Sequence, residues 1–154
     1  MTDTIDKRLA ALGVSLPAAA APAANYVPSM QTGNLIFTAG QLPLKDGKLA
    51  VSGLLGRDVD VAAGKEAAKL CAINILAQAK AAIGDLEKIR RLVKITVFVA
   101  SSPDFTEQHL VANGASDFLV AALGDIGKHA RSAVGTASLP LNAAVEIEAV
   151  IEIK

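Results

Sequence analysis

The closing stretch AAVEIEAVIEI, Ala143 to Ile153, carries the pattern that most restricts the fold. Successive residues of a strand point to opposite faces of a sheet. Val145, Ile147, Ala149, Ile151 and Ile153 therefore form one apolar side, and Glu146, Glu148, Val150 and Glu152 form the other. A second run, RRLVKITVFVA from 90 to 100, sets Val93, Ile95, Val97 and Val99 against Lys94, Thr96 and Phe98 in the same way. Strands with one apolar face need a covering layer, and two helical patterns supply it. Asp60 to Ile83, dense in alanine, aligns Ala67, Leu70, Cys71, Asn74 and Ala77 along one stripe and ends at Gly84. Ser102-Pro103-Asp104 reads as an N-cap, a proline at the first helical position and an acid in the first turn. The second helix it opens runs to about Leu123, where Gly124 and Gly127 close it.

The remaining segments are shorter. Thr4 to Leu12 has a helical pattern with Ile5, Leu9 and Leu12 on one side. The Ala/Pro-rich SLPAAAAPAAN that follows reads as an extended connector without chemistry, so residues 1–25 form a lead-in. A strand near Tyr26 to Met30, the turn Thr32-Gly33-Asn34 and a strand from Leu35 to Ala39 make the start antiparallel. Lys45-Asp46-Gly47-Lys48 carries the Asp-Gly signal of a second hairpin. Strands from Ser132 to Ser138 and from Ala143 to Ile153 flank a turn at Leu139 to Asn142. Strands that do not alternate strictly with helices predict an α+β fold, a mixed sheet with two helices on one face, in a single domain over residues 1–154. Hydrophobic residues make up 52% of the chain and charged residues 19%, more apolar than a typical domain of this size. Other copies of the chain are the simplest cover for the sheet's second face.

Composition also excludes several classes of function. Fifteen basic and fifteen acidic residues give zero net charge with no like-charge block, which disfavours nucleic acid and anionic membranes as partners. One cysteine, Cys71, lies on the apolar stripe of a helix, reads as core packing and suits a reducing cytoplasm. The opening MTDTIDKRLAALG reads as neither a secretory signal nor an anchor, and no apolar run is expected to reach membrane-spanning length. His109 and His129 stand in no metal-ligand spacing, and Gly53, Gly56 and Gly64 in no phosphate-loop spacing, so neither metal nor cofactor is expected.

What remains is the polar set HARS and VEIEAVIE. On a structural reading the glutamates form a solvated strand face and Arg131 pairs with a nearby acid at the surface. On a functional reading Arg131 offers a guanidinium fork to a small carboxylate while Glu146 positions water or shuttles a proton. Were the strands of Arg131 and Glu146 hairpin neighbours, Glu146 would sit part-way toward Arg131; other topologies would separate them.

NLIFTAGQLP (34–43), VKITVFV (93–99) and HARSAVGTASLPLNAAVEIEA (129–149) resemble the signature blocks of the Rid, or YjgF-like, family of reactive-intermediate deaminases. The third block is the most specific, and the agreement runs from about Tyr26 to the C-terminus. The longer N-terminal segment and the Ser52 to Asp60 insertion resemble the branch described as YjgF/chorismate-mutase-like endoribonucleases. The resemblance implies a chorismate-mutase-like homotrimer with ligand clefts between subunits. It also implies hydrolysis of enamines and imines such as 2-aminoacrylate to 2-oxo acids and ammonia, without a cofactor. Carried over by position, Arg131 is the carboxylate-binding arginine and Glu146 the water-handling glutamate. Tyr26, Gly40 and Asn113 fall on the substrate-binding tyrosine, glycine and asparagine. Three positions depart from the family pattern: Ala133 replaces the usual cysteine, Ala39 the usual serine, and His129 the common proline. A less polar cleft leaves open a binding module that holds small carboxylates without turnover. Ribonuclease activity fits poorly with zero net charge and 3% aromatic residues.

Overall fold

The computed structural model describes residues 2–22 and 24–154. Its strands are β1 (Ser29–Thr32), β2 (Leu35–Thr38), β3 (Leu44–Lys45), β4 (Lys48–Leu49), β5 (Ile89–Ala100), β6 (Ala130–Thr136) and β7 (Val145–Ile153). Its helices are α1 (Ile5–Ala11), α2 (Val61–Ile83) and α3 (Gln108–Leu123). Five strands form a sheet in the order β1-β2-β7-β5-β6, antiparallel except where β5 and β6 run parallel across the α3 crossover. The Asp46-Gly47 turn, with φ of 53° and 76°, closes β3 on β4 as a separate small hairpin.

The alternation read from the sequence decides the faces. In the β5–β7 register Ile95, Val97 and Val99 lie opposite Ala149, Ile147 and Val145, all buried beneath the helices. On the other face Phe98 lies opposite Glu146, and Thr96 opposite Glu148. Met30, Phe37 and Val134 share that second face by register and are 60%, 43% and 45% exposed, so the single chain leaves an apolar sheet surface open to solvent.

The helices pack on the first face, and α2 meets α3 closely. A Cβ on Gly114 would lie 2.1 Å from the Lys65 carbonyl oxygen, so only glycine lets these backbones approach. Asp60 caps α2 by accepting from the Ala63 N–H at 2.8 Å. The buried face of α2 is wider than the expected stripe: Ala68, Ala72, Ile75 and Ala79 are buried, whereas Leu70 and Asn74 stand at its border. Asn74 instead donates to the carbonyls of Leu42 and Leu44 at 3.0 and 3.1 Å, tying down the segment that precedes β3. Cys71 is fully buried against Val145, and burial, followed by the charge of Glu146, pushes its thiol well above the usual range.

Several sequence expectations shift. The second helix begins at Gln108, not after Ser102-Pro103-Asp104. Ser102 donates its N–H to Leu55 and its hydroxyl to Asp104, and accepts from Phe105, so a turn packed on the preceding loop consumes the capping groups. The first strand starts at Ser29, because Pro28 has no N–H to pair. The sixth starts at Ala130 and thus takes Arg131 into the sheet. Residues 108–127 do reach membrane-spanning length on composition. In the fold this segment is a core helix, with Val111, Ala115, Phe118, Leu119 and Ala122 buried. The lead-in helix α1 is also part of the core: Ile5 and Leu9 are buried, and Arg8 donates to the Ala122 and Leu123 carbonyls at 2.9 and 3.2 Å. A cation there suits the C-terminal end of α3.

Candidate functional site

The site residues expected from the sequence fall into two clusters. The first lies where α3 faces β6. His109, Asn113 and Ser116 follow one another at i, i+4 and i+7, forming a polar stripe on a largely apolar helix. Arg131, opposite Ile95 in the parallel register and hence on the helix face, reaches this stripe. Its Nη1 donates to Asn113 Oδ1 at 2.9 Å and to Ser116 Oγ at 3.1 Å, and its Nη2 donates to the His109 carbonyl at 3.2 Å. All three acceptors are neutral. The ion pairs among the described residues do not include Arg131, so the surface pairing with an acid allowed by the sequence is absent. A guanidinium fixed by neutral acceptors is oriented without being neutralised, and its remaining N–H groups suit a carboxylate.

The second cluster lies on the opposite face. Thr38 accepts from the Ala149 N–H at 3.0 Å and Gln41 pairs with Ile147, so Ala39 and Gly40 bulge from the β2–β7 ladder. The bulge brings the Gly40 backbone against Glu146: a Cβ there would stand 2.8 Å from Glu146 Cδ and 3.1 Å from Oε2. Half-buried in this contact, the Glu146 carboxyl is raised above the usual value of 4.5, chiefly by desolvation and secondly by the negative charge of Glu148. Glu148 is exposed, and Glu152 is held by Arg91 at 2.7 Å and by Asn34 at 3.3 Å. Glu146 thus combines partial burial with a raised carboxyl and the close approach of the Gly40 backbone.

Tyr26 and Gly40 line one cavity of about 160 Å³, whose walls also include Ala20, Pro22, Ala39 and Leu141. The Ala/Pro-rich connector, read from the sequence as an extended linker, therefore lines this cavity. Gln78, buried on α2, holds it by donating to the Ala20 carbonyl at 2.9 Å. Leu141, at φ 60° and 75% exposed, presents an apolar side chain at the same cavity from a strained backbone; no local sequence signal marks it. Ser116 was likewise missed, although the 109–113–116 spacing could have found it.

One chain does not unite the clusters. β5 lies between β6 and β7, so the strands of Arg131 and Glu146 are not hairpin neighbours. Arg131 is level with Ile95 and Glu146 with Phe98, on opposite faces of the sheet. Two strand spacings and three residue rises put them roughly 14 Å apart in the plane of the sheet. The arrangement leaves the Arg131 guanidinium and the raised Glu146 carboxyl too distant for one small ligand to touch both within a chain. Among the described residues no three His, Cys, Asp or Glu side chains converge as metal ligands.

Comparison with known proteins matches this geometry to a known fold. A family model described as "YjgF/chorismate_mutase-like, putative endoribonuclease" matches residues 6–153. The crystal structure of Atu1372 from Agrobacterium tumefaciens superposes with a TM-score of 0.93 at 60% identity, covering 97% of this chain and 92% of that one. Protein TCP17 of Trypanosoma cruzi is 50% identical over 143 residues, 92% of this chain and 89% of the relative. A 2-iminobutanoate/2-iminopropanoate deaminase of Dermatophagoides farinae is 27% identical over 150 residues, 92% of this chain and 95% of the relative.

Proposed function

The chain belongs to the YjgF/chorismate-mutase-like family, and from that premise we propose that it hydrolyses small enamines and imines of 2-oxo acids, such as 2-aminoacrylate, in a cleft shared between copies. The observation that carries this reading is Arg131, held by Asn113, Ser116 and the His109 carbonyl with no carboxylate partner among the described residues. The deaminase named among the relatives acts on ligands with the required carboxylate, although at 27% identity it supports the class of substrate and no more.

The second support is the separation of Arg131 from Glu146. A site that uses both draws them from two chains. The open sheet face offers Met30, Phe37 and Val134 for such an association, and burying the roughly half of each that is still exposed is worth about 0.7–1.5 kcal/mol apiece. A closed ring is the economical outcome, and a homotrimer is the assembly proposed here. In it, Arg131 and Asn113 of one chain face Tyr26, Gly40 and Glu146 of the next.

In that cleft Arg131 holds the substrate carboxylate and thereby fixes the imine carbon. Glu146 accepts a proton from water as the oxygen adds to that carbon and passes it to the nitrogen, giving a carbinolamine; it then takes the hydroxyl proton of that adduct and delivers it to the nitrogen as the C–N bond breaks and the C=O forms. Imine and water give 2-oxo acid and ammonia, with no oxidant or reductant. A carboxyl raised above its usual range is, as the carboxylate, a stronger base than an ordinary one and takes the proton from water more readily. The test is a coupled reaction generating 2-aminoacrylate, read as pyruvate formation. The protein accelerates it and Arg131→Ala does not; no acceleration, or acceleration unchanged in the variant, overturns the reading.

Ala39 and Ala133 favour a second reading, a trimeric module that binds small carboxylates without turnover. Calorimetry with 2-oxo acids separates the two: binding lost in Arg131→Ala with no imine hydrolysed points to the module. Endoribonuclease action, part of the family's description, is the weakest reading. Zero net charge gives the chain little to hold a polyphosphate backbone.

A further inference from the structure

His129 precedes Arg131 by two residues, and both of its ring nitrogens are engaged. Nδ1 lies 2.6 Å from the Gly127 carbonyl oxygen and Nε2 lies 2.9 Å from Ser116 Oγ. A carbonyl can only accept, so Nδ1 carries the proton and Nε2 of the neutral ring is the acceptor. Ser116 then donates its one hydrogen to Nε2, leaving its lone pairs for Arg131 Nη1 at 3.1 Å. Each link has one direction, from guanidinium to Ser116 to His129 to the Gly127 carbonyl.

From this chain of contacts we infer that His129 is a positioning residue for the anion-binding guanidinium, acting through Ser116 and not on substrate. The inference rests on the reading that Arg131 binds the ligand carboxylate. A serine hydroxyl with no acceptor of its own rotates, and in some of its orientations the hydrogen points at the cation. His129 removes that freedom by taking the hydrogen on the far side of Ser116. Asn113, one turn earlier on α3, shares the same Nη1, so the two acceptors together fix the direction in which the remaining N–H groups point. Ser116, Val120, Lys128, His129 and Arg131 line a shallow depression on this side of the molecule, so the network borders a surface that a ligand can reach.

The experiment uses the intact protein with pyruvate as the carboxylate probe in calorimetry, alongside imine turnover. Ser116→Ala and His129→Phe each weaken pyruvate binding and raise KM by roughly threefold to tenfold, the scale of one hydrogen bond, while kcat changes little. His129→Gln, whose amide oxygen accepts from Ser116, recovers most of the loss. In a Ser116→Ala background His129→Phe adds nothing, because its route to Arg131 is already cut. Full binding in Arg131→Ala, or none in the wild type, sinks the carboxylate reading of the site. Loss in Arg131→Ala with wild-type binding in Ser116→Ala and His129→Phe overturns the positioning role alone, as does an equal His129→Phe effect with and without the Ser116 hydroxyl. The ligand-free protein gives an independent readout. Ring nitrogen shifts report His129 protonated at Nδ1, and the Arg131 side-chain N–H resonances broaden in both single variants. An Nε2-protonated ring, or Arg131 resonances unchanged by the substitutions, refutes the proposal.

Discussion

Gly40→Ala isolates the contact on which the proposed proton chemistry depends. Gly40 does not occupy the left-handed region, so alanine is compatible with its backbone and the fold is preserved. The added Cβ would stand 2.8 Å from Glu146 Cδ, 3.0 Å from Cγ and 3.1 Å from Oε2. Ordinary carbon contact begins near 3.4 Å, so the Cδ must retreat by 0.6 Å or more. Glu146 swings through its side-chain torsions at a cost of about 0.5–1.5 kcal/mol, a small part of the stability of a domain. The catalytic cost is of the same size, at the upper end of that range, but it falls on the barrier: a misplacement of about 1 Å lowers rates by about 100-fold and the displacement here scales to roughly tenfold. Steady-state hydrolysis of 2-aminoacrylate therefore shows kcat reduced by roughly tenfold. Pyruvate affinity, set by Arg131 on the opposite sheet face, is little changed. Because burial is the main cause of the raised Glu146 carboxyl, the displaced group titrates closer to its ordinary value, which NMR of the side chain reports directly. Full activity in Gly40→Ala, or a loss accounted for by a lowered melting temperature, would refute the reasoning.

Mixing two inactive variants tests the shared cleft. If Arg131 and Glu146 act from different chains, subunit exchange between Arg131→Ala and Glu146→Gln restores roughly a quarter of the wild-type sites, whereas a site within one chain recovers nothing. Gly114→Ala forces α2 from α3, because its Cβ meets the Lys65 carbonyl at 2.1 Å; chemical denaturation shows a loss of about 3 kcal/mol or more. Glu146→Gln abolishes turnover yet stabilises the fold at neutral pH. A carboxyl whose folded value is raised disfavours the native state once it ionises, so wild-type stability falls as pH rises from the ordinary 4.5 through the folded value. The variant's advantage appears across that window and vanishes below it, as melting temperatures between pH 4 and 8 show.

Much of the fold was legible in local pattern. Period two in β5 and β7 assigned Ile95, Val97, Ile147 and Ala149 to the buried face, and the structure places them there because sheet burial is what that period encodes. The Asp-Gly turn and the Asp60 to Gly84 helix were similarly readable, since caps and tight turns are decided by a few adjacent residues. Where local signals compete, the sequence misled. Ser102-Pro103-Asp104 has the chemistry of a helix start, but the Leu55 and Phe105 contacts recruit the same groups for a turn, delaying α3 to Gln108.

By itself the sequence determined the polar face of the last strand, Glu146, Glu148 and Glu152, and set Arg131 apart in HARS; it was the resemblance to the Rid family that singled out Arg131 and Glu146 as the candidate pair. It could not determine how those residues meet. That depends on β5 inserting between β6 and β7, a long-range pairing with no signature in either strand. The insertion separates Arg131 from Glu146 and turns them to opposite faces. Only the tertiary structure shows that Arg131 answers to Asn113, Ser116 and, through Ser116, His129, while Glu146 answers to Gly40. Strand periodicity is a property of neighbouring residues in the chain, whereas a site is a property of neighbours in space.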